Sequence, residues 1–164
     1  MGSKSRKRKL SREIPHSSSV PPWLYLAVLM AAILVAYFNS FSAGWQFDDG
    51  PNILNNSQVQ AQDLSPNTLS LALSSRVGGR RPISYLTFAI NHYFSQLDPK
   101  PYHAVNIFLH CVNACLVFWM VRLVTGEFYP NLLSRHHNLF SLFVTTLWSL
   151  NPLQTQAVSL IVQR

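Results

Sequence analysis

Two adjacent carboxylates, Asp48 and Asp49, stand in the run FDDGPN, in a chain of 164 residues that holds only six acids. Gly50-Pro51 forces a turn directly after them, so one of the pair can cap backbone amides of that turn or of a following helix. The other role for such a pair is chemical. A carboxylate held against low-dielectric surroundings has a raised pKa and becomes a better general base toward a hydroxyl. A neighbouring pair can also hold a divalent cation. Residue types alone leave these roles open.

A second constellation is His103, Asn106, His110 and Asn113. Their spacing of three, four and three places them within an arc of about 80° on a helix, a polar ridge about 15 Å long. On an otherwise apolar helix such a ridge has to face a bundle interior or a polar cavity, because hydrocarbon does not solvate it. It either bonds helices together or lines a cavity for a polar or charged substrate. Arg80 and Arg81 precede Pro82, where a helix can begin. Two cations and the free amides of a helix start then converge, an arrangement that suits a phosphate; snorkelling toward lipid headgroups is the plainer alternative. Cys111 and Cys115, four apart on one helix face, are poorly placed for a disulfide and read as packing residues.

The elements that must position these groups are membrane spans. With 48% hydrophobic and 12% charged residues, the chain carries too little charge for an ordinary soluble domain. Residues 23–43 carry no formal charge over 21 positions, about 31 Å of helix, the depth of a bilayer core. Residues 102–124 are charged only at Arg122, and 138–162 are uncharged but broken by Pro152. The expected fold is an all-α integral membrane protein with about three transmembrane helices and amphipathic interfacial helices in the first external loop, 44–100.

Most of the net charge of +7 lies at the start of the chain, where Lys4, Arg6, Lys7, Arg8, Lys9 and Arg12 face only Glu13. Residues 1–22 therefore read as a basic cytoplasmic tail attracted to anionic lipid. A cleaved signal peptide fits less well, since the apolar run is long and Phe41-Ser42-Ala43 is a poor cleavage site. Loop 44–100 then lies outside the cytoplasm, with Arg76, Arg80, Arg81 and Lys100 balanced by Asp48, Asp49, Asp63 and Asp98. The 124–137 loop, with Arg135, returns to the cytoplasm. No nucleophile-elbow, phosphate-loop or zinc spacing is present, and the basic residues have no folded face on which to hold nucleic acid.

Within the external loop, Ser65-Pro66 is a helix start leading into 67–75, and Gly78-Gly79 breaks the chain. After Pro82, the residues Ser84, Thr87, Asn91 and Ser95 form one polar stripe on an apolar helix, facing protein or water. Asn55-Asn56-Ser57 fits the glycosylation triplet, which has meaning in a eukaryotic lumen.

Taken in order and spacing, an apolar first helix followed by FDDGPNILNNSQVQ, RPISYLTFAIN, YHAVNIFLHCVNACLVF and NPLQTQAV resembles a known family. It is the N-terminal membrane part of the tetratricopeptide-repeat-containing proteins of the GT-C glycosyltransferase superfamily, among them the transmembrane O-mannosyltransferases of eukaryotes and many bacterial relatives. The likeness covers residues 23–164. It implies a multi-span enzyme that moves a mannose-type sugar from a polyprenyl-phosphate donor to an acceptor hydroxyl on the external side. Its partners would be membrane lipid, the lipid-linked sugar donor and a protein or glycan acceptor, with no nucleic acid. Its place would be a bacterial inner membrane or the endoplasmic reticulum, with a cytoplasmic N-terminus.

Carried over by position, Asp48 and Asp49 match the acidic pair that serves as catalytic base or metal ligand. Arg81, with Arg80 before it, matches the Arg-Pro where the donor phosphate would lie. Asn91, His103, Asn106, His110, Asn113, Asn151 and Gln156 are the implied cavity lining. At two of these positions the chain departs from the family, which has His-Pro and, four residues after the proline, Glu; here stand Asn151-Pro152 and Gln156. The chain ends at Arg164 inside the resembling run, so a fragment or shortened relative is expected. The alternative is a non-catalytic, truncated or degenerate helix-bundle or scaffold protein that packs through the His/Asn ridge.

Overall fold

The computed structural model describes residues 20–77, 81–129 and 136–163. These residues form helices and turns, with no strand among them. Helix α1 is Pro22–Tyr37 and continues as a tighter turn, Phe38–Ser42. A wide turn, Gly50–Leu54, follows, then α2 (Pro66–Ser74), α3 (Pro82–Ser95), α4 (Pro99–Phe128), α5 (His137–Ser149) and α6 (Gln154–Ser159), with a last turn at Ile161–Gln163. Arg80 and Arg135 lie outside the described residues, as do the first 19 positions that carry the basic tail.

Local chemistry sets the helix ends. Helices α1, α2, α3 and α4 each have proline in the first turn, where its missing N–H costs nothing. Ser65 Oγ accepts the Thr68 N–H at 3.3 Å and Asp98 Oδ1 accepts that of Lys100 at 3.1 Å, capping α2 and α4. Helix α3 stops where Gln96 takes a positive φ of 53°. The carbonyls freed there are claimed by aromatic donors: Tyr102 Oη reaches Gln96 O at 2.9 Å, and Trp45 Nε1 reaches Leu97 O at 3.1 Å.

Two helical stretches are long and apolar enough to cross a membrane, Pro22–Ser42 with 21 residues and Pro99–Phe128 with 30. The chain is an integral membrane protein in which these two, α1 with its extension and α4, are the candidate spans. The expected third run, 138–162, is instead divided. Helix α5 has 13 residues, about 20 Å at 1.5 Å per residue, short of a bilayer core by itself. Pro152 has no N–H to offer the Trp148 carbonyl, and Leu153 N–H turns aside to Asn151 Oδ1 at 2.9 Å.

Packing follows the same logic. Ser141, Thr145 and Ser149, one turn apart on α5, are fully buried, and such small side chains let helix backbones approach closely. Leu29, Ile33 and Tyr37 of α1 meet Ile107, Ala114 and Phe118 of α4 and Val158 of α6 in one core. A second core joins the segment between α1 and α4 to the end of the described chain through Ile53, Val59, Tyr85, Phe88, Tyr102 and Ile161. Phe108, Leu116, Met120, Leu123, Phe143 and Leu147 point outward and are exposed, the inverse of a soluble helix and the surface a lipid phase would cover.

Candidate functional site

The acidic pair is split by its turn. Asp49 N–H bonds to Gln46 O at 2.9 Å, and Asp48 O accepts both the backbone N–H and the side-chain Nδ2 of Asn52, at 3.3 and 2.8 Å. This winding turns Asp48 outward and Asp49 inward. Asp49 is 1% exposed. Its Oδ2 accepts the Gln46 N–H at 3.0 Å and its Oδ1 the Val162 N–H at 2.9 Å. Burial pushes its carboxyl above the usual carboxylate range; the two amides and the nearby His103 pull it back, and Asp48 adds to the rise. Asp48 is left as an exposed carboxylate beside Phe47, itself 88% exposed on a positive φ of 42°.

Arg81 completes this arrangement: its Nη1 donates to Val162 O at 3.1 Å. Tyr85, one turn further along α3, donates to Asn52 Oδ1 at 2.9 Å, and burial raises its phenol pKa while Arg81 lowers it. Asn52 in turn offers its carbonyl to Asn56 Nδ2 at 3.1 Å, which also reaches Ser75 Oγ at 3.1 Å. The asparagines of NILNN thus hold the acidic turn against α2 and α3. Their four-residue spacing was the available signal.

The ridge of α4 serves two places. His103, near the N-terminal end of α4, is fully buried, with Nε2 on Ala43 O at 3.1 Å and no partner for Nδ1. Asn106 Nδ2 lies 3.4 Å from Val158 O, 3.1 Å from Leu160 O and 3.4 Å from Ile161 O, so one amide covers the carbonyls at the end of α6. His110 Nε2 donates to Ser149 O at 3.0 Å, and Tyr37 Oη donates to the same oxygen at 3.0 Å. That carbonyl is free because Leu153, its helical partner, bonds Asn151 instead. His110 also stacks on Trp148, ring centres 5.5 Å apart.

Between α4, α5 and α6 lies a half-open cavity of about 240 Å³ lined by Asn106, Leu109, His110, Asn113, Trp148, Gln154, Ala157 and Gln163. Of the residues named from the sequence, Asn106, His110 and Asn113 border it. Asn151 and Gln156 are exposed and do not; Asn91 is buried on α3 with its Nδ2 unpartnered. Gln154, Gln163 and Trp148 are lining residues that the sequence pattern did not single out. A second cleft, of about 260 Å³, is bordered by Leu73, Ser74, Ser75, Arg76 and Pro82 at the start of α3. Among the described residues no three of His, Cys, Asp and Glu come together as a ligand set, and Asp49 already accepts two amides. A cation at the acidic turn would therefore depend on Asp48.

Three similar proteins frame this geometry. Protein O-mannosyl-transferase Tmtc1 of Drosophila melanogaster is 30% identical over 168 residues, which cover 98% of this chain and 18% of the relative. Human protein O-mannosyl-transferase TMTC4 is 30% identical over 159 residues, 90% of this chain and 22% of the relative. Human protein O-mannosyl-transferase TMTC3 is 26% identical over 151 residues, 85% and 15%. The chain thus spans about a fifth of the length of these relatives. No family model matches, and no solved structure matches.

Proposed function

The chain is homologous to a segment of the protein O-mannosyl-transferases, and from that kinship we propose that it forms part of a membrane glycosyltransferase moving a mannose-type sugar from a polyprenyl phosphate to an acceptor hydroxyl on the external side. The reading is carried by one observation: the exposed carboxylate of Asp48 sits on a turn that its buried neighbour Asp49 ties to Val162. A base for this reaction has to be reachable, ionised and held still.

Asp48 accepts the proton of the acceptor hydroxyl as the hydroxyl oxygen forms a bond to the anomeric carbon. The bond from that carbon to the phosphate oxygen breaks, and polyprenyl phosphate leaves with the electron pair. Asp49 and Arg81 act as positioning residues through Val162. The donor phosphate lies near the start of α3, where Arg76 borders the cleft that includes Pro82 and Arg81 stands next in the chain. The prenyl chain rests in lipid against the exposed apolar faces of the bundle.

The test uses the full-length form of this protein with a polyprenyl-phosphate mannose donor. Asp48→Asn is expected to lower turnover by about 100-fold or more, the usual scale of a general base, with membrane insertion intact. Asp49→Asn is expected to lower both turnover and thermal stability. Unchanged turnover in both variants would overturn the assignment and leave a non-catalytic helix bundle.

A further inference from the structure

The cavity between α4, α5 and α6 is lined mainly by amide and aromatic side chains. Its lining contains four amides, from Asn106, Asn113, Gln154 and Gln163, with the imidazole of His110 and the indole of Trp148, and no formally charged group. By contrast, the cleft at the start of α3 includes Arg76, and a cleft of about 380 Å³ at the beginning of α5 is bordered by His136, Leu139, Phe140 and Phe143. The first of these suits an anion and the second an alkyl chain. The amide-lined cavity suits neither, since an anion buried there would have no counter-charge and a hydrocarbon would strand the amides.

We propose that this cavity seats a neutral hexopyranose, and, on the reading given above, that this is the sugar carried by the donor. Side-chain amides both donate and accept, which matches vicinal hydroxyls that do the same. Trp148 supplies an aromatic wall beside them, held in place by its stack on His110. His110 is fixed as an Nε2 donor by the Ser149 carbonyl, so its other nitrogen remains an acceptor. Asn106 is 2% exposed and its amide nitrogen is committed to the carbonyls at the end of α6, which leaves Oδ1 without a donor.

Size and position agree with this occupant. The 240 Å³ equals about eight waters at about 30 Å³ each, and lies below the roughly 300 Å³ at which sites for drug-sized ligands begin. Gln163 follows Val162 directly, so the cavity wall and the acidic turn are joined through the residue that Asp49 holds. The charges that would hold a phosphate are kept elsewhere, on Arg76 and Arg81. The sugar and the phosphate therefore occupy chemically separate surfaces.

The experiment is a fluorescence titration of this chain in lipid nanodiscs with methyl α-D-mannopyranoside. A saturable change is expected, absent in Trp148→Phe. Affinity should fall tenfold or more in both Gln154→Leu and Asn113→Leu, and stay the same in Arg76→Gln and in excess inorganic phosphate. Both leucine variants should unfold within a few degrees of the parent, which excludes collapse of the fold as the cause. No saturable change, or one indifferent to both leucine substitutions, overturns the proposal. If that happens while Asp48→Asn still abolishes transfer in the full-length form, the sugar site is wrong and the transferase reading stands. Saturable binding together with unimpaired transfer by Asp48→Asn keeps the sugar site and removes Asp48 as the base.

Discussion

Asp49 and Arg81 grip opposite ends of one residue: the carboxylate accepts the N–H of Val162 at 2.9 Å, and the guanidinium donates to its carbonyl at 3.1 Å. They are far apart in sequence, one in the turn after the first span and the other at the start of α3. Through Val162 they fasten the segment between α1 and α4 to the end of the described chain. A buried acid that accepts two amides and a cation that meets the same peptide form a mechanical joint.

A joint of this kind makes a non-additive expectation. Asp49→Asn keeps one acceptor and loses the charge; Arg81→Gln shortens the reach to Val162 O. Either change frees one end of the residue and lessens what the other end can hold. The double variant is expected to be more stable than the sum of the single losses predicts, by a coupling on the order of 1 kcal/mol. Thermal unfolding of the four proteins in one detergent measures it, and strict additivity would separate the two contacts.

The acid–base behaviour of Asp49 gives a second expectation, of unusual sign. Burial raises its carboxyl above the ordinary value, so the folded protein keeps this proton to higher pH than the unfolded chain does. The stability that follows is fully present below the unfolded value, about 3.9, and is lost as pH rises through the raised folded value. Asp63 acts oppositely, because the Thr68 hydroxyl and the Ser65 N–H lower its pKa; it is exposed and screened. Unfolding midpoints followed from below the unfolded carboxylate value, about 3.9, upward in pH are expected to decline less in Asp49→Asn than in the parent. An unchanged profile would mean that the carboxyl is not desolvated.

Much of the scaffold could be read from the chain because its signals are local. An uncharged 21-residue run, prolines at helix starts and a serine before Pro66 each act within one or two turns, and α2 begins where Ser65 caps it. The inward turn of His103, Asn106 and His110 followed from the cost of polar groups in hydrocarbon. The partner of Asp49 could not be read, since a backbone amide 113 positions away has no side-chain signature. Gln154 and Gln163 were missed for a related reason. The break at Pro152 resets the helical phase, so periodicity carried from α5 does not say which way α6 faces. The ridge itself divides, His103 toward the acidic turn and the other three toward the cavity, because its length exceeds either site.

His110 offers a test of the break. Its Nε2 and the Tyr37 hydroxyl share the Ser149 carbonyl that the end of α5 leaves free. His110→Leu keeps the bulk and removes one donor from a buried acceptor, a change worth about 1 to 3 kcal/mol. The expected result is a lower unfolding midpoint and faster loss of monodisperse protein in detergent, with partial recovery in His110→Gln, which retains an N–H. Equal stability of the leucine and parent proteins would show that Tyr37 alone satisfies the carbonyl.

The orientation of the acidic turn is the remaining premise of sugar transfer on the external side, and the triplet Asn55-Asn56-Ser57 reports on it. Asn56 is buried, bonded to Asn52 O and Ser75 Oγ, while Asn55 and Ser57 on either side of it are exposed. The anchored middle residue holds the two groups that a glycan-adding enzyme needs on the outside of a turn that begins shortly after Asp48. Expressed in a eukaryotic secretory membrane, the protein is expected to gain one endoglycosidase-sensitive mobility shift that disappears in both Asn55→Gln and Ser57→Ala. In parallel, Ser57→Cys in intact bacterial cells is expected to react with a membrane-impermeant maleimide, a readout that does not depend on how close the turn lies to the bilayer. Protection of that cysteine until the membrane is opened would place Asp48 on the cytoplasmic side, where a base for external transfer has no substrate.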